Sequence, residues 1–409
     1  MRKNASVLNL RNGSAFLLSA AGSLLVLMLA GCASDSQQGE RVPDWEAAAQ
    51  VTVPPPALPP PAAPEPPPPP APPTPTPPAP PAATNEVAET WVPLQQWCKS
   101  MGLAAPCQVA VTPSPAYALN ASNGVFVLRI GTQLAHWDGL ALQLGFAPQM
   151  VAGQPFVHSL DLKKTLQPLI SGASPFLETN PIVVIDPGHG GEDAGAKSVL
   201  GNRYEREFTL DWARRLAALL ATNGWRVFLT RTNDVHLSLS NRVALAEELK
   251  ASLFVSLHFN SAGANAHEAG LETYCLTPAG MFSSVTRGYD DDPALLFPNN
   301  AFDVENVQLA ASVHRALLQV NGHNDRGIRR ARYLSVLRAQ NRPAILVEGG
   351  YLSNPVEARR IAEPAYRERL AEAVASALEK CVMHDACQKA ARGNEPRRVA
   401  EVGPNRTNQ

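Results

Sequence analysis

Between Pro54 and Pro81 the chain is an almost unbroken run of proline with alanine and threonine. Proline fixes φ and removes an N–H donor, so this stretch can enter neither a helix nor the middle of a sheet. What remains open to it is a semi-rigid polyproline II rod, which at about 3.1 Å per residue reaches on the order of 80–90 Å. The chain has 38 prolines in 409 residues, where an average usage near 5% would give roughly 20. The surplus sits in this block, which therefore reads as a spacer. Folding falls to the residues after it. The formal net charge of -1 argues against nucleic acid as the main partner, since a phosphate-binding face needs a basic excess.

Before the spacer, Arg2, Lys3 and Arg11 precede an apolar run from Ala15 to Ala30. The run is short for a membrane span and has the layout of a secretory signal. It ends Leu29-Ala30-Gly31-Cys32, which resembles a bacterial lipoprotein cleavage box. The resemblance implies lipid attachment at Cys32. With Ala33 and Ser34 rather than Asp behind the cysteine, it also implies the outer membrane of a two-membrane bacterium, with the protein facing the periplasm. Five cysteines remain, an odd number for an oxidising compartment. Cys98 with Cys107 and Cys381 with Cys387 are close enough in sequence to pair, and Cys275 lies in an apolar run.

The expected organisation is a signal segment over 1–32, a Pro-rich linker over 33–89, a small α+β module over 90–175, a larger domain over 180–385 and a disordered tail over 390–409. In the module, Trp91-Val92-Pro93-Leu94 opens a helix-like segment to Met101, followed by strand-like runs at Cys107 to Val111 and Gly124 to Ile130. This opening resembles a β-rich module of copper amine oxidases that is reused in bacterial wall proteins, which implies spacing or wall binding. In the larger domain, strand-like runs at Pro181–Asp186, Trp225–Thr230, Ser252–Phe259, Leu271–Leu276, Tyr333–Leu337 and Ala344–Glu348 alternate with helical patterns at Glu205–Thr222, Ser240–Leu249, Val307–Val320, Pro355–Arg360 and Pro364–Lys380. Alternation of this kind predicts an α/β fold, a twisted and mainly parallel sheet flanked by helices.

Chemistry in such sheets collects at strand ends. Here those ends carry His189 in a glycine turn, Glu205 heading the first helix, His258 after an apolar strand and Glu348 ending another. Two imidazoles and a carboxylate suit Zn²⁺ with a fourth position for water, and a further carboxylate could move protons. Each has a plain alternative. His189 could be a turn residue, Glu205 could favour the helix dipole, and His258 could be a satisfied core histidine. Glu348 differs because a carboxylate ending an apolar strand is costly to bury without a partner. Spacing alone leaves the metal reading open.

The local words go further. Ile185-Asp186-Pro187-Gly188-His189-Gly190-Gly191-Glu192-Asp193-Ala194-Gly195-Ala196, Tyr204-Glu205, Ser256-Leu257-His258-Phe259-Asn260 and Leu346-Val347-Glu348-Gly349-Gly350-Tyr351-Leu352-Ser353-Asn354 resemble the zinc-dependent N-acetylmuramoyl-L-alanine amidases, amidase type 3. The resemblance spans about Pro181 to Ala377. It implies that His189, Glu205 and His258 ligate Zn²⁺, that Glu348 is the catalytic carboxylate, and that Asn260 contacts substrate. It further implies peptidoglycan as substrate, cut between N-acetylmuramic acid and L-alanine during wall remodelling or daughter-cell separation. Two positions depart from the family's habit: Gly349, where a larger apolar residue is usual, and Phe259, where a small one is. Glu207 is a second carboxylate near Glu205, but only Glu205 follows the tyrosine in register. Thr277 to Glu305 reads as a loop at the cleft rim, too short and too poorly helical for the plug some members insert there. The rival reading is a lipid-anchored wall binder without catalysis.

Overall fold

The computed structural model describes residues 91–109, 114–172, 181–322 and 324–393. The expected signal segment, Cys32 and the proline spacer lie outside the described residues, as does the tail beyond 393. Among the described residues no helix is long and apolar enough to cross a membrane.

The first half is built from β1 (Trp91–Pro93), α1 (Leu94–Ser100), β2 (Cys107–Val109), β3 (Ala116–Ala121), β4 (Gly124–Arg129), β5 (Leu134–Trp137), β6 (Leu140–Gln143), β7 (Gln149–Val151) and β8 (Gln154–His158). It closes on α2 (Ser159–Asp161), a π-helical turn at Leu162–Leu166 and α3 (Gln167–Ser171). Strands β2 to β6 form an antiparallel meander, while β8 pairs with β1 and β7 in a small separate sheet. Alternating burial runs along these strands: in β4, Phe126 and Leu128 face inward, the period-two signature of a sheet with one covered face.

The second half contains β9 (Ile182–Pro187), α4 (Glu205–Thr222), β10 (Arg226–Leu229), α5 (Leu239–Glu248), β11 (Leu253–Asn260), β12 (Leu271–Cys275), α6 (Asp303–Asn321), β13 (Asp325–Arg330), α7 (Ser335–Arg338), β14 (Ala344–Tyr351), α8 (Pro355–Ala362) and α9 (Pro364–Gly393). Its strands lie in the order β10-β9-β11-β14-β12-β13. Strands β10, β9, β11 and β14 run parallel, β12 is antiparallel to β14, and β13 is parallel to β12, giving a mixed sheet. Both faces are covered, so the central strands are apolar on both sides. Val183 and Ile185 face the core shared with α4, α6 and α9, and Val184 between them faces α5 and α7.

The two halves share one sheet, because β6 pairs with β13 at Leu142 and Ile328. Polar contacts reinforce the joint: Asp325 accepts from the Ala141 amide at 2.8 Å, and Arg330 donates to the Lys164 carbonyl and the Thr165 hydroxyl at 3.0 Å.

Three expectations need correcting. Tyr333–Leu337 is not a strand; α7 occupies Ser335–Arg338, and the strand is the preceding Asp325–Arg330. That strand escaped a hydrophobic pattern because its arginines are held by specific partners rather than by an apolar layer, Arg326 at 2.8 Å from Glu272 and Arg330 on the carbonyl and hydroxyl named above. Cys98 and Cys107 are both free thiols: Cys98 is on the buried face of α1, and Cys107 begins an exposed strand. The final helix runs to Gly393, past the expected boundary at 385, and the Cys387 side chain lies outside the described residues.

Candidate active site

The site begins with the turn after β9. Asp186, fully enclosed at the strand's end, accepts from Arg242 at 2.7 Å, Thr230 at 2.6 Å and Ser256 at 2.8 Å. Burial would push its carboxyl up, but Arg242 and the two hydroxyls outweigh that and hold it below the ordinary range. The next carbonyls are capped by guanidiniums: Pro187 by Arg231 and Arg242 at 3.0 Å, Gly188 by Arg231 at 2.8 Å, and His189 by Arg242 at 2.9 Å. These bonds hold His189 at φ +62°, a left-handed conformation that a residue with a Cβ takes up only when its surroundings impose it. At Gly188 a Cβ would sit 2.2 Å from the His258 ring, so only glycine lets the two chains approach.

Glu205, the first residue of α4, is buried, and both its oxygens are engaged. Oε1 accepts from the Phe259 amide at 3.0 Å and faces His258 Nδ1 at 2.9 Å. Oε2 accepts from the Ala196 amide at 2.9 Å and faces His189 Nε2 at 3.1 Å. The donor atoms of His189, Glu205 and His258 all lie within 4.8 Å of one another. Ligands of a tetrahedral zinc ion at about 2.0–2.1 Å stand about 3.3 Å apart, so donor type and spacing fit such an ion. His189 also presents Nδ1 to Asp193 at 2.8 Å, the outer contact that fixes which ring nitrogen faces inward. Burial would lower the His189 proton affinity, but Glu205 and Asp193 more than offset it. Glu205 goes the other way: burial raises it, and the two histidines bring it down further than burial lifts it.

Glu207 does not compete. Its carboxylate accepts from the Tyr204 amide and from Arg203, both at 3.0 Å, which spends it on capping α4.

Glu348 lies beside this cluster because β14 and β11 pair in register, His258 against Glu348. It is 8% exposed, and its Oε2 has no hydrogen-bond partner. Burial, then the negative charge of Glu205, raise its proton affinity well above the ordinary carboxylate range; Arg287 pulls it down and Glu272 pushes it up again. Glu272 is its register neighbour on β12 and is answered by Asn260 at 3.0 Å, Tyr274 at 2.7 Å and Arg326 at 2.8 Å. Asn260 lines the cavity, but its amide nitrogen is committed to Glu272.

His189, Glu205, His258, Asn260 and Glu348 thus open on one cavity of about 370 Å³. Sequence reasoning missed Asp193, Glu272, Tyr274 and Arg287. Asp193 had a signal, lying four residues after His189 in the quoted motif; the others are reached only through the pairing of β12 with β14 and the path of the rim loop.

Residues 183–380 match the profile of the Amidase_3 family, described as N-acetylmuramoyl-L-alanine amidase. This part of the chain belongs to the Amidase_3 family. Among curated relatives, the chain is 31% identical over 229 residues to the N-acetylmuramoyl-L-alanine amidase AmiC of Neisseria meningitidis serogroup B, covering 49% of this chain and 53% of that protein. It is 29% identical over 257 residues to AmiC of Escherichia coli O6:H1, covering 57% of this chain and 61% of that protein. The chain therefore spans between half and two thirds of the length of these relatives. Among solved structures, the catalytic domain of CwlV, an N-acetylmuramoyl-L-alanine amidase from Bacillus (Paenibacillus) polymyxa var. colistinus, is 32% identical, with 49% of this chain and 97% of that one covered and a TM-score of 0.41.

The two departures from the Amidase_3 habit explain each other. A Cβ on Gly349 would lie 2.8 Å from the Phe259 ring and 2.8 Å from Trp212. The large residue on β11 occupies the volume that the small residue on β14 gives up, behind the catalytic face. The rim loop is equally readable: within Thr277–Glu305 the helical content is a 3-10 turn at Pro298–Phe302 and the start of α6, and the residue it lends to the cavity is Arg287.

Proposed function

We propose that this protein is a zinc-dependent N-acetylmuramoyl-L-alanine amidase, hydrolysing the amide between the lactyl group of N-acetylmuramic acid and L-alanine of the stem peptide. The observation that carries the reading is the convergence of His189, Glu205 and His258 donor atoms within 4.8 Å, beside a buried carboxylate, Glu348, with one oxygen unpartnered. A structural ion would need no such spare group. When bound, zinc would supply a Lewis acid that polarises the scissile carbonyl and lowers the pKa of water.

The chain's own residues do the rest. Asp193 and the Arg231–Arg242 pair fix the His189 ring and its turn, and the amides of Ala196 and Phe259 hold Glu205 so that both its oxygens keep their direction. Glu348 takes a proton from the attacking water and returns a proton to the alanine nitrogen as the C–N bond breaks, leaving a lactyl carboxylic acid and a free amine. Its raised proton affinity suits a group that must both take and give.

We propose further that the protein belongs to the cell envelope, anchored through lipid on Cys32 to the outer membrane and facing the periplasm, with the Pro-rich segment 33–89 as a linker and the module over 90–175 spacing or holding the wall. Its physiological work is wall remodelling or daughter-cell separation. Zinc quantification of the purified protein, together with mass spectrometry of products from purified sacculi, tests the enzymatic core. The expected result is one zinc per chain, free stem peptides and intact glycan strands, all lost on chelation and regained with zinc. Binding to sacculi with no released peptide at full zinc loading would replace the amidase with a wall binder.

A further inference from the structure

The candidate catalytic cavity shares Asn260, Ser261, Tyr274 and Arg287 with a second hollow of about 510 Å³. The second hollow holds two other arginines: Arg326 pairs with Glu272 at 2.8 Å and with Glu268, whereas Arg329 approaches Glu272 only to 3.8 Å and its buried Nε has no hydrogen-bond partner. Among the described residues, no carboxylate lies within 4 Å of Arg287 in the same way. Its polar neighbour is the Asn260 Oδ1 at 3.4 Å, a long contact that commits little of a five-donor group.

The side chain is nevertheless placed. It lies over the Tyr333 ring, 5.5 Å from its centroid. Its backbone takes a left-handed φ of +47°, followed by Gly288 at +77°. The loop carrying it is tied down by Asp291, which accepts from the Ser283 amide at 2.6 Å and from Arg332 at 2.6 Å. A cation held over an aromatic ring, lining both cavities and paired with no carboxylate among the described residues, gives an anionic group on a ligand a point of attraction in a cleft that also holds Glu272 and Glu348.

We propose that Arg287 is a specificity residue that reads a carboxylate on the peptide side of the scissile bond. This rests on the amidase reading and sharpens its substrate to an acidic peptide. In a stem peptide whose second residue is glutamate linked through its side chain, the α-carboxylate stays free, about two residues or less from the scissile nitrogen. Fully extended, two residues span at most roughly 7 Å, and Arg287 lines the same cavity as Glu348. Glu348 and Arg287, which form no ion pair with each other, would then hold the two ends of one segment: the breaking amide at the carboxyl and the free carboxylate at the guanidinium.

The test uses the zinc-loaded full chain and two muramoyl peptides that differ at one group, the free α-carboxylate of the second residue or its carboxamide. The wild-type protein is expected to favour the acid in kcat/KM by roughly ten- to hundredfold, the range of a charge-assisted hydrogen bond. Arg287→Gln should collapse that ratio towards one, and Arg287→Lys should restore part of it. Equal losses on both substrates in Arg287→Gln, or a wild type indifferent to the change, would overturn the proposal. Should the wild type cleave neither peptide nor sacculi, the amidase reading fails instead. Calorimetry with the two free stem peptides then decides Arg287 by itself: tighter binding of the acid that Arg287→Gln abolishes sustains it, and equal binding ends it.

Discussion

Asp186 and Glu348 are both buried carboxylates, on the strands that flank β11 on either side. Asp186 is met by a guanidinium and two hydroxyls and stays ionised. Glu348 has an oxygen that nothing meets, and burial followed by the charge of Glu205 raises its proton affinity. The difference separates a carboxylate that builds from one that works. A buried charge with its partners in place holds a turn in an uncommon conformation, whereas a buried charge left short of partners is costly and persists where function uses it. In this molecule the first makes the second usable, since the Asp186–Arg242 pair ends at the carbonyls that set His189.

The strongest way to break the comparison is to remove the partner of Arg242. Asp186→Ala strands a buried guanidinium, and loss of one member of such a pair costs about 3–5 kcal/mol. Urea unfolding should show a loss of that size, with zinc affinity falling along with it; an unchanged midpoint would mean that the pair is ornamental.

Asp161 sharpens the comparison as an intermediate case. It accepts from the Gly145 amide at 2.8 Å and the Phe146 amide at 2.9 Å, with no hydrogen-bonded guanidinium. Burial outweighs these bonds and the more distant Arg330, lifting its carboxyl from 3.8 to about 6. The folded state thus holds the proton more tightly than the unfolded one. Its contribution to stability is complete below about pH 4 and is lost as pH rises through 6, a change of roughly 1–3 kcal/mol at 1.36 per unit. Comparing unfolding of the wild type and Asp161→Asn across pH 4 to 7 should show this slope in the wild type and its absence in the variant.

The smallest effect lies directly beside Glu348. Gly349→Ala drives a methyl to within 2.8 Å of Phe259 and Trp212, overpacking that costs about 1–2 kcal/mol. Adding Phe259→Leu should recover part of it. Strict additivity of the two changes, measured as a double-mutant cycle, would show that these positions are not coupled.

How much of this was legible in the sequence follows the same division. His189, Glu205, His258 and Glu348 stood out as candidates because each ends an apolar strand or heads a helix, but local pattern left their roles open and the family resemblance of the four words supplied them. Their company did not stand out. Glu272 and Arg287 reach the cavity by strand register and loop path, which depend on residues far apart in the chain. The polar strand Asp325–Arg330 was hidden because its stability comes from named ion pairs and from β6 on its outer edge, and the apolar Tyr333–Leu337 took its place in the pattern. That edge pairing also joins the two halves into one sheet, a tertiary fact with no signature in either half. Gly349 and Phe259, read singly, were departures; the volume they share is visible only when β11 and β14 lie side by side.

The central claim is that Glu348 is the spare carboxylate, needed for proton transfer and for nothing structural. Glu348→Gln keeps the shape and removes the charge. The measurement is zinc content, thermal midpoint and stem-peptide release from sacculi on the same preparation. The account predicts one zinc per chain as in the wild type, a midpoint equal or higher because a buried carboxyl short of hydrogen-bond partners is gone, and hydrolysis lower by about 10²–10⁴-fold. Retained hydrolysis, or loss of zinc together with a lowered midpoint, would contradict it.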